Sequence, residues 1–313
     1  MSENMYDLEY PAPVVHGDQS DSPVPLIVAL QGYADAGQAV VNVGTHLLQA
    51  LDNQLVASFN LDQLVDYRSR RPGVTLDHNS IVDSDRMSLN LHVLKDDSGQ
   101  PFLLLAGPEP DLKWEAFSDS VVQLARRLNV HRVVSLYSAP MTVPHTRPLI
   151  VSAHASDPAL LKDFATWDSR MIIPGAASLE TELKLARSGV ETVGLTAHVP
   201  HYIAANDYPE ATVKLLQAVS STIDREFPLS ALEGDQSRVQ QQLENQMEDS
   251  PEIAQVVQAL EGQYDAEVER RRRRRENNLL QPGEEIPTGD ELGAEFEAFL
   301  ADVADKDTEP GDD

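Results

Sequence analysis

Cysteine is absent from the 313 residues of this chain, and its absence removes several kinds of protein from consideration. No disulfide framework, thiolate nucleophile or cysteine-based metal site can form. Aromatic residues account for only 5% of the chain, and no apolar run approaches the roughly 20 residues that cross a bilayer. The first segment, Met1–Asp7, is polar and acidic, unlike a signal peptide. We therefore expect a soluble, cytoplasmic protein with no membrane partner.

Positive charge is also scarce. The 24 Lys and Arg residues stand against 51 Asp and Glu residues, for a formal net charge of −27. Such a charge opposes binding of nucleic acid or anionic lipid by the surface as a whole. Residues 1–230 hold 28 acidic and 16 basic side chains, whereas the shorter segment 231–313 holds 23 and 8. This change in composition divides the chain into a domain over residues 1–230 and an acidic tail over residues 231–313.

Short apolar runs alternate with helical patterns throughout the domain. Continuous runs such as Pro25–Leu30, Phe102–Ala106 and Val133–Tyr137 are typical of strands buried on both faces of a parallel sheet. The segment Val74–Leu94 alternates more and predicts two antiparallel strands that turn at Ser84–Asp85. Strands alternating with helices indicate right-handed βαβ units. The prediction is an α/β fold with a mostly parallel sheet, made mixed by the hairpin-like insert.

The tail has no strand-like run. Arg238–Met247 and Ile253–Arg275 look helical, and the second helix has an apolar side that needs a partner. That side is formed by Ile253, Val256, Val257, Leu260, Tyr264 and Val268. We expect one further short helix at Glu295–Leu300 and disorder at Lys306–Asp313, where charge is dense.

Polar residues follow several predicted strands, which is where α/β folds build their sites. Asp35 lies in a loop with two glycines before a helix. It is either the cap of that helix or part of a loop that cradles phosphate, although neither phosphate-loop fingerprint is present. Glu109 stands in Gly107–Asp111, a rigid Gly-Pro-acid-Pro-acid corner after a strand.

A compact basic patch, Tyr67–Pro72, contains Arg68 and Arg71. One interpretation is a site for an anionic ligand. The other is structural pairing with Asp35, with Glu109 or with a neighbouring subunit.

Two Pro-His corners also follow strands, one with His145 and Arg147 and the other with His201. Histidine is the usual acid or base near neutral pH, but in such corners it often only hydrogen-bonds the backbone. No Gly-x-Ser-x-Gly elbow is present, and no His, Asp or Glu group has the spacing of a metal site. We therefore predict no catalytic residue, no metal and no cofactor.

Six consecutive arginines, Arg270–Arg275, stand near the end of the second tail helix. One interpretation is a patch that binds nucleic acid. The other is the C-terminal end of a helix, where the helix macrodipole and the acids that follow balance the positive charge of the arginines. We do not expect the intact chain to bind nucleic acid.

Five segments carry a resemblance to a known family, and they occur in the family's order. They are Leu30–Gly37, Tyr67–Pro72, Gly107–Asp111 with Trp114, Val143–Pro148 and Val199–Tyr202. Together they resemble the proteasome assembly chaperone family, in the branch that groups eukaryotic chaperone subunit two with archaeal and actinobacterial relatives. The acidic, arginine-interrupted tail is similar to that of actinobacterial members.

The resemblance implies a three-layer α/β/α sandwich with a mixed, mostly parallel twisted sheet, related to purine nucleoside phosphorylases. It also implies a homo-oligomer, and analogy with phosphorylase-like assemblies favours a trimer. Archaeal relatives that bind the proteasome core use a C-terminal hydrophobic–tyrosine–any-residue tripeptide. This chain ends Gly311-Asp312-Asp313 and does not carry that tripeptide.

These observations lead to one favoured function and one alternative. The favoured function is a non-catalytic assembly or chaperone-like protein that acts through surfaces on a protein client. The alternative is a small-molecule-binding protein or enzyme of phosphorylase-like fold. Its site would draw on Asp35, Arg68, Glu109, His145, Arg147 and His201 at one edge of the sheet, with Arg71 as a further candidate for a ligand or interaction site. Convergence of these side chains on one concave pocket would favour the alternative, and separation would favour the surface-acting protein.

Overall fold

A computed structural model describes residues 5–15, 23–162, 164–167 and 170–278. The predictions for Glu295–Leu300 and Lys306–Asp313 lie outside these residues. The chain divides into a first unit that ends at Tyr264 and a second that begins at Asp265. Among the described residues, no helix is both long enough and apolar enough to cross a bilayer.

An eight-stranded mixed sheet is the centre of the first unit. The strands of the chain are β1 (Tyr6–Leu8), β2 (Val24–Gln31), β3 (Asn53–Phe59), β4 (Val74–Asp77), β5 (Ser80–Ser84), β6 (Asn90–Lys95), β7 (Pro101–Pro108), β8 (Val130–Met141), β9 (Val151–Ala155) and β10 (Glu191–Pro200). Strands β4 and β5 pair with each other, and the rest follow the order β1-β3-β6-β7-β2-β8-β10-β9. The neighbours β7, β2, β8 and β10 are parallel, whereas the outer pairs are antiparallel.

Helices cover both faces of this sheet. The α-helices of the described residues are α1 (Ala39–Ala50), α2 (Leu61–Leu64), α3 (Trp114–Arg127), α4 (Ala177–Arg187), α5 (Pro209–Ile223), α6 (Ser230–Asp249) and α7 (Pro251–Asn278), the last of which continues into the second unit. Apolar residues of α1 and α5 pack in one core, and those of α3 and α4 pack in the other. Burial on both faces explains why strands such as β2 are continuously apolar. The predicted three-layer α/β/α sandwich is confirmed.

The predicted turn at Ser84–Asp85 is wrong. The chain turns at His78–Asn79 instead, where His78 has a φ of +51°, and β5 runs on to Ser84. Strands β4 and β5 form a separate hairpin, and β6 joins the large sheet next to β7. Asn and Asp favour turns, and both flank His78, so a turn signal was present in the sequence.

Helices of the compositional tail contribute to the core of the first unit. In α6, Leu243 is buried in the core that contains α5, and Val239 packs against that core. In α7, Val257 and Leu260 are buried, whereas Ile253 and Val256 are exposed. The composition therefore changes at residue 230, but the packed core of the first unit continues beyond that residue. Independent folding of residues 1–230 stays a prediction.

Candidate functional site

The loops after β7, β2, β8 and β10 meet at one edge of the sheet, because these four strands are parallel neighbours. Glu109 follows β7, Asp35 follows β2, His145 and Arg147 follow β8, and His201 follows β10. The structure divides these residues into three groups that make different contacts.

Asp35 forms the first group together with the start of α1. Its Oδ1 accepts a hydrogen bond from the backbone N–H of Val40 at 2.7 Å, and its Oδ2 accepts one from Val41 at 3.3 Å. Burial raises the pKa of this carboxyl, although the two N–H donors oppose the shift. The geometry is that of a helix cap, with the carboxylate closed off by backbone donors.

Glu109 belongs to the second group, which joins three loops. Its Oε1 lies 3.2 Å from both the N–H and the hydroxyl of Ser178, near the start of α4. Its Oε2 accepts from the N–H of Tyr33 at 3.4 Å. A Cβ placed on Gly32 would lie 2.1 Å from the same Oε2, so only glycine allows this approach. The buried carboxylate thus sits at the positive end of a helix.

In the basic patch, the arginine that contacts the sheet edge is Arg70 and not one of the two predicted residues, Arg68 and Arg71. Arg70 reaches the sheet edge, where its Nη2 lies 3.1 Å from Asp111 Oδ1 and its Nη1 donates to the carbonyl of Gln31 at 3.2 Å. Arg68 is largely exposed beside Asp66, and Arg71 lines a surface cleft of about 630 Å³ with Arg70. Among the described residues, neither Arg68 nor Arg71 hydrogen-bonds Asp35 or Glu109.

The two Pro-His corners form the third group and meet through Tyr202. The Tyr202 hydroxyl oxygen lies 2.9 Å from the backbone N of His145 and 2.7 Å from its Nδ1. The ring of His201 also packs edge-on against that of Tyr202, with ring centroids 5.4 Å apart. Tyr202 directly follows the predicted residue His201 in the sequence. It can bridge the two Pro-His corners only because β8 and β10 are parallel neighbours.

Arg147 ties its corner to α7. Its Nη1 donates to Glu261 Oε1 at 3.0 Å, and the hydroxyl of Thr146 donates to the same oxygen at 2.5 Å. One turn further on, the Tyr264 hydroxyl donates to the carbonyl of Pro148 at 2.8 Å. Sequence reasoning missed Glu261, because an acid on an acidic helix gives no local signal of a partner 114 residues away.

A cavity of about 620 Å³ lies beside this third group. It is lined by the loop after β10, including Tyr202 and Tyr208, and by side chains of α6 and α7 such as Leu243 and Val257. Of the predicted residues, His145 is the one found among its described lining residues. Burial lowers the pKa of His145, although the charges of Glu244 and Glu261 oppose the shift.

A second polar cluster, which the sequence did not reveal, lies between the sheet and α4. Glu182 is buried, with its Oε1 2.9 Å from His154 Nε2 and its Oε2 accepting from the Tyr137 hydroxyl at 3.1 Å. Burial lowers the pKa of His154, but the hydrogen bond and charge of Glu182 outweigh it and leave the pKa raised. No set of three His, Asp or Glu side chains in the described part of the chain is arranged to hold a metal ion.

In the second unit, acids of α7 pair with arginines of the same helix. Arg270 pairs with Glu267, and Arg273 Nε lies 2.9 Å from Glu269 Oε1. Such pairs favour the helix-terminus interpretation of the arginine run. The acids after residue 278 lie outside the described residues, so their effect on the arginines stays a prediction.

The model of one protein family, the PAC2 family, matches residues 29–247. The chain belongs to the PAC2 family. The match includes all of the predicted site residues and most of α6, and it agrees with the resemblance that the sequence motifs carry. Comparison with curated proteins finds no similar sequence.

Solved structures from actinobacteria are similar to this PAC2-family chain. A protein of unknown function from Corynebacterium glutamicum is 53% identical, with a TM-score of 0.82, over 85% of this chain and 98% of that one. A Mycobacterium tuberculosis protein of unknown function is 46% identical, with a TM-score of 0.83, over 86% and 92%. A Mycobacterium tuberculosis proteasome-assembly chaperone homologue is 25% identical, with a TM-score of 0.69, over 75% and 100%.

Proposed function

We propose that this PAC2-family protein is a non-catalytic, chaperone-like assembly protein that acts in the cytoplasm through protein–protein surfaces. Its similarity to the proteasome-assembly chaperone homologue supports this role. So does the separation of the candidate side chains. Asp35 and Glu109 hold helix N-termini, and Arg147 holds α7. These side chains make structural contacts. They do not share one reaction centre, whereas the enzyme alternative requires a shared centre.

The hairpin of β4 and β5 is the observation that carries the proposal. Its four large apolar side chains are between 56% and 72% exposed, and they are Val74, Leu76, Ile81 and Val82. Leu76 and Ile81 lie directly opposite each other, so they present one apolar face. A lone two-stranded hairpin is marginally stable in water, and a contiguous apolar patch usually marks an interaction surface.

We propose that a second copy of this chain covers the hairpin, in a trimer. Copies with a formal charge of −27 repel one another, so their contact needs an apolar surface that outweighs the repulsion. The hairpin supplies such a surface on two exposed strands that are not part of the large sheet. The assembled trimer would then present the surface that meets a protein client.

The oligomer is tested with the variant Leu76→Ser/Ile81→Ser. Multi-angle light scattering at micromolar concentration should give a trimer for the wild type and a smaller species for the variant. Ile172→Ser is the matched control, because Ile172 is 98% exposed but lies outside the hairpin. A wild-type monomer, or a hairpin variant that stays trimeric, would contradict the proposal.

The assembly role is tested in the source cell. Deletion of the gene should leave one cytoplasmic complex as unassembled intermediates, visible as a shift in the native size profile of soluble proteins. The wild type and Ile172→Ser should restore the profile, and the hairpin variant should not. An unchanged profile after deletion would exclude the assembly role while leaving the oligomer result standing.

A further inference from the structure

We infer that the cleft of about 630 Å³ beside Arg70 and Arg71 binds a small zwitterion, an α-amino acid with an apolar side chain. In this site Arg71 faces the carboxylate of the ligand and Asp85 faces its ammonium group. The inference goes beyond the assembly role and does not depend on it. It rests on the position of the cleft in the fold, on the two opposite charges that line it and on its apolar residues.

The cleft lies where two neighbouring strands send their loops to opposite faces of the sheet. Gln31 and Gly32 stand at the end of β2, Gly107 and Pro108 stand at the end of β7, and all four line the cleft. The loop after β2 leads to α1 in one core, whereas the loop after β7 leads to α3 in the other. In open α/β sheets such a divergence leaves a crevice at the carboxyl ends of the strands, and ligands bind there.

The two opposite charges of the cleft are accessible to a ligand. Arg71 and Asp85 both line it and are both exposed. In the described part of the chain, neither the Arg71 guanidinium nor the Asp85 carboxylate forms a hydrogen bond or an ion pair. Asp85 is held beside Gly73, because its N–H donates to the Gly73 carbonyl at 2.9 Å and a Cβ on Gly73 would clash with its Oδ2. Arg70, by contrast, is already paired with Asp111.

These charges favour a ligand that carries both signs. A simple anion would be attracted by Arg71 but repelled by Asp85 and by the formal net charge of −27. A simple cation would face the guanidinium groups of two arginines. A zwitterion matches both walls, because a guanidinium binds a carboxylate through parallel N–H donors and an ammonium group offers three donors to a carboxylate.

The remaining residues of the cleft define the rest of the ligand. Pro72, Met87 and Pro108 also line it, so an apolar side chain of the ligand has apolar surface to pack against. The volume falls within the range of roughly 300–1,000 Å³ of small-molecule sites. An α-amino acid with an apolar side chain meets these conditions.

The test measures the binding of free amino acids to the full-length protein by isothermal titration calorimetry at low ionic strength. The probes are L-leucine, L-isoleucine, L-valine, L-methionine and L-phenylalanine, and at least one should bind saturably at millimolar concentration. The tightest is then compared with one analogue that lacks the ammonium group and one that lacks the carboxylate. For leucine these are 4-methylpentanoate and 3-methylbutylamine. Each analogue should bind more weakly, because it leaves one of the two charges unpaired.

Two variants assign the charges to the two ends of the ligand. Arg71→Gln and Asp85→Asn should each raise the Kd for the amino acid about fivefold, the effect of losing one exposed ion pair. The analogue without a carboxylate should lose no affinity in Arg71→Gln, and the analogue without an ammonium group should lose none in Asp85→Asn.

Arg86→Gln and Asp83→Asn are the matched controls. Each removes an exposed charge of the same sign from a nearby position, and neither residue is among those that line the cleft, so both should leave the Kd unchanged. Failure of all five amino acids to bind the wild type, or an unchanged Kd in a folded Arg71→Gln or Asp85→Asn variant, would overturn the inference.

Discussion

At the scale of single residues, Glu109 shows how a buried charge is held without a basic partner. Its carboxylate accepts hydrogen bonds from Ser178 and Tyr33, and no lysine or arginine of the described chain pairs with it. Three donors and the positive end of α4 take the place of a counter-ion. The carboxylate therefore serves the fold, and its proline-flanked corner keeps it rigidly in place.

Glu109→Gln should lower the free energy of unfolding by about 1–3 kcal/mol, because the amide NH₂ would face donor N–H groups and remain unsatisfied. Urea denaturation monitored by circular dichroism measures the change. The control is Glu9→Gln, which removes an exposed acid that lies outside every helix and should have little effect. Equal stability of Glu109→Gln and the wild type would show that the carboxylate is not structural.

At the scale of elements, α7 is joined to the loop after β8 by a small set of polar contacts. Glu261 accepts from both Arg147 and Thr146, and Tyr264 reaches Pro148. The ion pair is partly exposed, with side-chain exposures of 32% and 25%. Partly exposed pairs contribute modestly to stability, so α7 can open locally before the rest of the unit unfolds.

Glu261→Gln should increase amide hydrogen exchange in residues 251–264 by about twofold to fivefold, the effect of losing a modest ion pair. Exchange in the sheet strands should not change. Mass spectrometry of peptic fragments resolves the two regions, and Glu248→Gln, an exposed acid on α6, is the control. Uniform acceleration throughout the chain, or none in residues 251–264, would contradict a local role for this contact.

At the scale of the whole molecule, the first unit, which ends at Tyr264, is longer than the domain that composition marks over residues 1–230. Leu243, Val257 and Leu260 bury apolar surface within residues up to Tyr264, although their helices lie in the segment that composition marks as the tail. The sheet and its two helical layers form the larger part of this unit. Helix α6 and the part of α7 up to Tyr264 add cover at the edge where the loops after the parallel strands meet.

A chain that ends at residue 230 should fold but be less stable than one that ends at residue 264, by roughly 3 kcal/mol or more, because those three side chains no longer cover apolar surface. It should also bind more of an apolar dye. Thermal unfolding of the two truncated chains and the full chain makes the comparison. If the two truncated chains have the same melting temperature, the tail helices do not stabilise the core.

Local sequence patterns were sufficient to predict most of the helices and strands and the fold class. Continuous apolar runs predicted β2, β7 and β8, because burial on both faces leaves no room for polar side chains. The end of α4 also has a local cause, because a glycine, Gly189, follows the helix in the sequence. Gly189 has a φ of +89°, and its N–H and that of Val190 return to the carbonyls of Ala186 and Leu185, as in a Schellman motif. The motifs likewise indicated the PAC2 family.

Contacts between distant segments were decided only by the tertiary structure. The sequence placed Asp35, Glu109 and His145 after strands, but the strand order determines which loops are neighbours, and packing determines which side chain each one meets. Arg70 and Glu261 became partners of Asp111 and Arg147 through such packing. A hydrogen bond needs its two atoms within about 3 Å, and local periodicity carries no information about that distance across a hundred residues of chain.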